Sequence, residues 1–231
     1  MSMLEKLTSK IVLIILITLP LQIAIPKIFN RVTSLKEGVV LPGNFNKVYS
    51  TFNSFNKSTD TSLVVTFCNV SNLYGFDEDD YQFDWLIGQI LLESGARQYV
   101  GDSIITSCTG AVGFAQILRS TSLLYLKKTI TKKDSIIFNS VGVTDYSFVC
   151  NNKLNRRESL AMAKSWLSNV NNNIALWGKI MSVELKNKTM TKALISYNVG
   201  PRGLRRYINA GGVLASHHYI VGIVDRMRHI K

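Results

Sequence analysis

The 231-residue chain has only three cysteines, Cys68, Cys108 and Cys150, and none sits in a CxxC pair. It has no HExxH or other metal-ligand spacing, and no GxxxxGK[ST] loop to cradle phosphate. Neither a metal nor a cofactor is therefore expected. Acidic residues are few, 15 against 27 Lys and Arg, which leaves a net charge of +12. That excess implies an anionic partner such as nucleic acid, a membrane face or an acidic wall polymer. The basic pairs Lys127-Lys128, Lys132-Lys133, Arg156-Arg157 and Arg205-Arg206 are scattered rather than gathered into one tail. No aromatic-basic interleaved motif accompanies them, so no nucleic acid is expected. Internal repeats are absent, and strand signals are sparse apart from Leu63 to Phe67.

Hydrophobic residues make up 46% of the chain, which excludes wholesale disorder, and the length suits one domain with an appendage. Ile11 to Ile25 is almost wholly apolar, between Lys6 and Lys10 on one side and Lys27 on the other. Residues 11–26 would make about 24 Å of helix, short of the ~30 Å hydrocarbon core, although flanking lysines extend the reach. A cleaved secretory signal and a buried soluble helix are the competing readings. The poor small-x-small site, with Gln22 before Ala24, favours a retained anchor over residues 1–30. Residues 31–71 then read as a linker or spacer, because 37–62 mix Gly, Asn, Ser and Thr with isolated aromatics and show no helical period.

From residue 72 to 231 the pattern is helical. Asp77-Glu78-Asp79-Asp80 precede a stretch, Tyr81 to Leu92, that is apolar nearly all round and so predicts a central buried helix. Asn155 with Glu158 has capping-box spacing, followed by Leu160, Ala163, Leu167 and Val170 at helical intervals. Ile174 to Met181, Met190 to Tyr197 and the tail from Leu214 predict further helices. His217, His218 and His229 lie in that tail with no ligand partners and read as solvated. The fold class is mainly α.

Three stretches point to chemistry: LLESG at 91–95, GAVGFAQIL at 110–118 and ALISYNVGP at 193–201. The first ends an apolar helix on Glu93, where a charged carboxylate is costly unless it is paired, solvated or kept protonated. In this order the three resemble lytic transglycosylases of the soluble lytic transglycosylase type, relatives of goose-type lysozyme. That family shows a Glu-Ser pair ending a buried helix, a Gly-x-x-Gly-hydrophobic-x-Gln segment and an Ala-Tyr-Asn-x-Gly-Pro segment. The resemblance spans about residues 72 to 228, including a closing helix with Tyr219-Ile220-Val221.

The resemblance implies a lysozyme-like α-helical domain that cleaves the β-1,4 bond between N-acetylmuramic acid and N-acetylglucosamine in peptidoglycan. Glu93 would be the general acid and then the base for the sugar's own C6 hydroxyl, leaving a 1,6-anhydro end. Ser94, Gly110, Gly113, Gln116, Tyr197 and Asn198 would contact substrate or its surroundings, with Tyr197 reaching toward Glu93 and the glycines letting backbone approach the sugar. Phe114 reads as core. Asp102 and Asp145 are the nearest candidates for a second carboxylate, and both read as solvated loop acids.

The partners implied are glycan strands, a membrane through the N-terminal helix, and an envelope-spanning or virion assembly. The location is then the wall side of a bacterial membrane, or a phage particle. A hydrolysing muramidase of the same fold is one alternative, and a non-catalytic structural component is the other.

Some features depart from the family pattern. Seventeen positions separate Glu93 from Gly110, more than is usual, with SIITSCT at 103–109 as the extra stretch. Arg119 stands where the family commonly has proline. The serine expected shortly before the second motif is either Ser103 or Ser107. If the domain is exported, Cys108 and Cys150 are the leading candidates for a bridge; three free thiols are the alternative.

Overall fold

Four acids in a row, Asp77 to Asp80, make a helix start. In the structure, a computed structural model that describes residues 41–230, the Asp79 side chain accepts from the backbone N–H of Tyr81 and Gln82 at 2.9 and 3.2 Å. Asp79 thereby caps α3 (Asp80–Ser94), which ends on Gly95 in a left-handed conformation. Phe83, Leu86, Ile87 and Ile90 are fully buried along it, so α3 is the central helix that its apolar pattern predicts.

Two helices precede it, α1 (Phe45–Phe55) and α2 (Thr61–Tyr74). They correct the reading of 31–71 as linker, and of Leu63 to Phe67 as strand. The run of Val64, Val65 and Thr66 has β-branched bulk that suits a strand. Here Asp60 caps Ser62 N–H at 2.8 Å, and the helical period buries Leu63, Val64, Phe67, Cys68 and Val70 together. Tertiary burial outweighs propensity. Phe67 is the hub: its ring lies 5.4 Å from Phe52, 5.9 Å from Phe83, 6.0 Å from Phe114 and 5.0 Å from Trp177. Emptying such a site typically costs ~3–5 kcal/mol.

The helical body thus begins at Pro42 rather than residue 72. The expected membrane span over 1–30 lies outside the described residues, and no helix among the described residues is long and apolar enough to cross a membrane. The fold-class expectation is corrected accordingly: a mainly helical unit that takes in the supposed linker, with no membrane-spanning helix among the described residues.

After α3 come two short antiparallel hairpins, β1 (Tyr99–Val100) with β2 (Ser103–Ile104), and β3 (Ala111–Val112) with β4 (Ile117–Leu118). A Thr106–Val112 bridge links them, so the stretch that is long for the family is ordered β structure. Then follow α4 (Arg119–Lys128), α5 (Lys132–Ser140), a 3-10 turn at Ser147–Cys150, α6 (Arg156–Leu167), α7 (Val170–Leu185), α8 (Met190–Asn209), a second 3-10 turn at Leu214–Ser216 and α9 (His218–Met227). The capping box at Asn155 and Glu158 forms as its spacing predicts. Gly200 and Pro201 kink α8.

All three cysteines are free, Cys68 buried in α2 and the other two exposed; the Cys108–Cys150 bridge is not formed. His217 is not solvated as its tail position implies. It is buried, its Nδ1 accepts from Tyr219 N–H at 3.3 Å to cap α9, and its ring stacks on His218.

Candidate active site

Helices α3 and α9 run antiparallel in close contact. A side chain at Gly88 would lie 2.9 Å from Met227 and 3.1 Å from the Ile223 backbone, so glycine is what lets the two helices approach. One turn along, this packing brings the Tyr219 hydroxyl of α9 to Glu93 at the end of α3, where it donates to Oε1. Gln89, one turn before Glu93, is fully buried; its Oε1 accepts from Trp177 Nε1 at 3.1 Å, and its side chain also bonds Tyr219. Glu93 has no cation within salt-bridge reach among the described residues. Burial pushes its pKa from 4.5 up to about 7, and the Tyr219 hydrogen bond offsets only part of that.

Glu93 opens onto a cavity of about 500 Å³. Gln116, Tyr197 and Asn198 line it as expected, with Ser107, Tyr125, Glu184 and Ser196. Gln116 has a left-handed backbone, φ 49°, which is uncommon outside glycine, and its Nε2 donates to Gly113 O at 2.8 Å. Its carbonyl-side oxygen is thereby left for the cavity. Tyr197 does not hydrogen-bond Glu93: its hydroxyl donates to Ala115 O at 2.6 Å and so fixes the loop that carries Gln116. Burial and then the Glu93 charge raise the Tyr197 pKa, so the two groups do face one another.

Ser94, Gly110 and Gly113 are not among the cavity-lining residues. Ser94 is buried and accepts from Arg97 N–H at 3.2 Å, holding the turn after Glu93. Gly113 makes room for protein rather than sugar. A Cβ there would lie 2.6 Å from Asn173 Nδ2 and 2.7 Å from Gln98 Oε1. Those two buried amides clamp the segment, accepting from Phe114 N–H at 2.6 Å and Ala115 N–H at 2.9 Å. Gly110, at φ 83°, turns the chain between the lining residues Thr109 and Ala111. Phe114 is core, as read. Of the two candidate serines, Ser107 lines the cavity, accepting from Ala111 N–H at 3.0 Å, while Ser103 lies in β2.

Asp102 and Asp145 lie outside the cavity, and Asp145 is spent on the Ser147 turn. The second acid that lines it is Glu184. It is buried, accepts from Tyr125 Oη at 2.9 Å and pairs with Lys188 at 2.5 Å. Its one legible signal is that Ile180, another lining residue, lies one helical turn before it in α7. Ser196 is also buried, and its Oγ has no hydrogen-bond partner among the described residues. A half-buried carboxyl that keeps its proton near neutrality, beside polar groups with free capacity, is suited to general acid catalysis on a polyhydroxylated substrate. Comparison of the chain with protein-family profiles, curated proteins and solved structures finds no match.

Proposed function

We propose that the protein is a peptidoglycan lytic transglycosylase, an enzyme that cuts the β-1,4 bond between N-acetylmuramic acid and N-acetylglucosamine and so opens the cell wall locally. The observation that carries this reading is Glu93: a carboxyl raised to about 7 by burial, at the edge of a cavity lined by Gln116, Tyr197 and Asn198. The order of the three sequence motifs supports it. Because Tyr219 occupies Oε1, Oε2 is the oxygen left to hold the proton.

In this mechanism Glu93 gives its proton to the glycosidic oxygen as the bond from C1 to that oxygen breaks. The C6 hydroxyl of the same sugar attacks C1, and the Glu93 carboxylate takes the hydroxyl proton, which restores the acid. No water is consumed, and the product carries a 1,6-anhydro end. Gln116 and Asn198 bind sugar polar groups, and Tyr197 holds the Gln116 loop.

Glu184 favours a second reading. A second carboxylate in the cavity is what a hydrolysing muramidase needs to activate water, although here Tyr125 and Lys188 already engage it. Digestion of purified peptidoglycan followed by mass spectrometry separates the two: 1,6-anhydro ends are expected, and reducing ends would identify the hydrolase. Glu93→Gln should cut the rate by ~10²–10⁴-fold. Wall cleavage by that variant at the wild-type rate would remove Glu93 from the chemistry. A wild-type chain without activity would leave a structural component of an envelope or virion assembly.

A further inference from the structure

Most cations of the helical body that reach an acid are accounted for. Lys47 meets Asp84 at 2.6 Å, Lys179 meets Asp134 at 2.7 Å, and Asp225 lies between Arg226 and Arg228. Arg119, Arg156 and Arg157 differ. They surround a depression of about 440 Å³ floored by Leu160 and Ala161, and none has a carboxylate or other hydrogen-bond acceptor among the described residues. The nearest acid on their own helices is Glu158, whose carboxylate is turned back to Asn155 N–H at 2.8 Å. Three guanidinium groups facing one hollow repel each other until an oxyanion arrives, and each offers a planar fork that fits one.

The hollow adjoins the cleft. Arg119 directly follows Leu118, a cleft-lining residue, and its Nη2 would lie 2.8 Å from a Cβ at Gly110, between the lining residues Thr109 and Ala111. We infer that Arg119, Arg156 and Arg157 form an oxyanion subsite that holds a carboxylate of the peptide stem borne by the glycan in the cleft. The inference rests on the peptidoglycan reading, since a glycan strand lying on the β3–β4 side of the cleft places its stem toward this edge. The apolar floor takes the aliphatic part of a stem residue, and the arginine forks take its carboxylate.

The test pairs the double variant Arg156→Gln, Arg157→Gln with two substrates. Both residues are exposed, so folding is preserved and circular dichroism verifies it. On stem-bearing peptidoglycan KM should rise roughly tenfold, the loss of about one charge-assisted contact, with kcat unchanged. On glycan strands freed of stems by an amidase neither constant should change. An equal rise on both substrates, or no rise on either, would overturn the subsite.

Binding provides a readout that does not depend on turnover. Full-length Glu93→Gln protein should bind free stem tetrapeptide, and the two arginine substitutions should abolish that binding. Protein that binds inorganic phosphate but not the tetrapeptide would have a seat for a wall phosphodiester instead, and the stem assignment would fall. Failure of the catalytic reading would show separately, as wall digestion by Glu93→Gln.

Discussion

Asp134 and Glu93 are both carboxyl groups drawn out of water by packed helices, and their surroundings differ chiefly in one cation. Asp134, at the start of α5, meets Lys179 of α7 at 2.7 Å and accepts from the hydroxyls of Tyr74 at 2.9 Å and Thr131 at 2.6 Å and from the Thr131 backbone at 2.7 Å. Burial alone would raise its pKa, yet Lys179, Thr131 and Tyr74 together hold it below the usual aspartate value. Glu93 has the Tyr219 phenol and no cation, and burial raises it to about 7. A fully bonded, paired acid fastens two helices. An acid with one neutral donor keeps its proton available.

Removing the cation should have the largest effect on stability. Lys179→Met would leave Asp134 buried and unpaired, at a cost of ~3–5 kcal/mol measured by urea unfolding at pH 7. The sign of its pH dependence follows from the depressed Asp134 pKa. The pair stabilises the fold above the unfolded value near 3.8, and that contribution is lost as pH falls through the folded value. The gap between wild type and variant should therefore narrow in acid. A gap independent of pH would mean that packing, not charge, is what Lys179 supplies.

Tyr219→Phe sharpens the other half. It removes a hydrogen bond to a group that becomes charged, which is worth ~1.5–3 kcal/mol, so kcat should fall by roughly one to two orders of magnitude. The phenol lowers the Glu93 pKa, so its loss should also move the alkaline limb of the rate profile upward. A fall in kcat with an unmoved limb would make Tyr219 a packing residue alone.

The smallest effect concerns Glu93 and stability. Because its folded pKa lies above the unfolded 4.5, ionisation of Glu93 destabilises the fold increasingly as pH rises from about 4.5 through 7. Glu93→Gln should raise Tm at pH 8 and leave it unchanged near pH 4. A rise that is equal at both values would point to the amide's own hydrogen bonds.

The two carboxyls were unequally legible in the sequence. Glu93 stands out because an apolar helix of one residue type after another ends on it, and that pattern is local. The Asn155 cap and the burial of Phe114 are local too, and the structure bears both out. Asp134 shows nothing, since Lys179 lies 45 positions away. Tyr219 is 126 positions from Glu93, and only the meeting of α3 with α9 at Gly88 reveals the contact. Glu184 reaches the cavity by the same kind of long-range packing. Gly113 was misread because its neighbours are the amides of Gln98 and Asn173, distant in sequence, rather than a sugar. The reading of 31–71 as a linker had a different cause. The weak pattern of α1 and α2 becomes helix only when Phe52 and Phe67 find Phe114 and Trp177.

Carbon-13 NMR of glutamate carboxyls, with Glu93→Gln used to assign the resonance, measures the property on which the catalytic reading depends. A Glu93 titration midpoint near 7 is expected, with the alkaline limb of the wall-cleaving rate falling at the same pH. A midpoint near 4.5 would make Glu93 an ordinary ionised surface acid, unable to protonate a leaving oxygen at neutral pH, and would contradict its role.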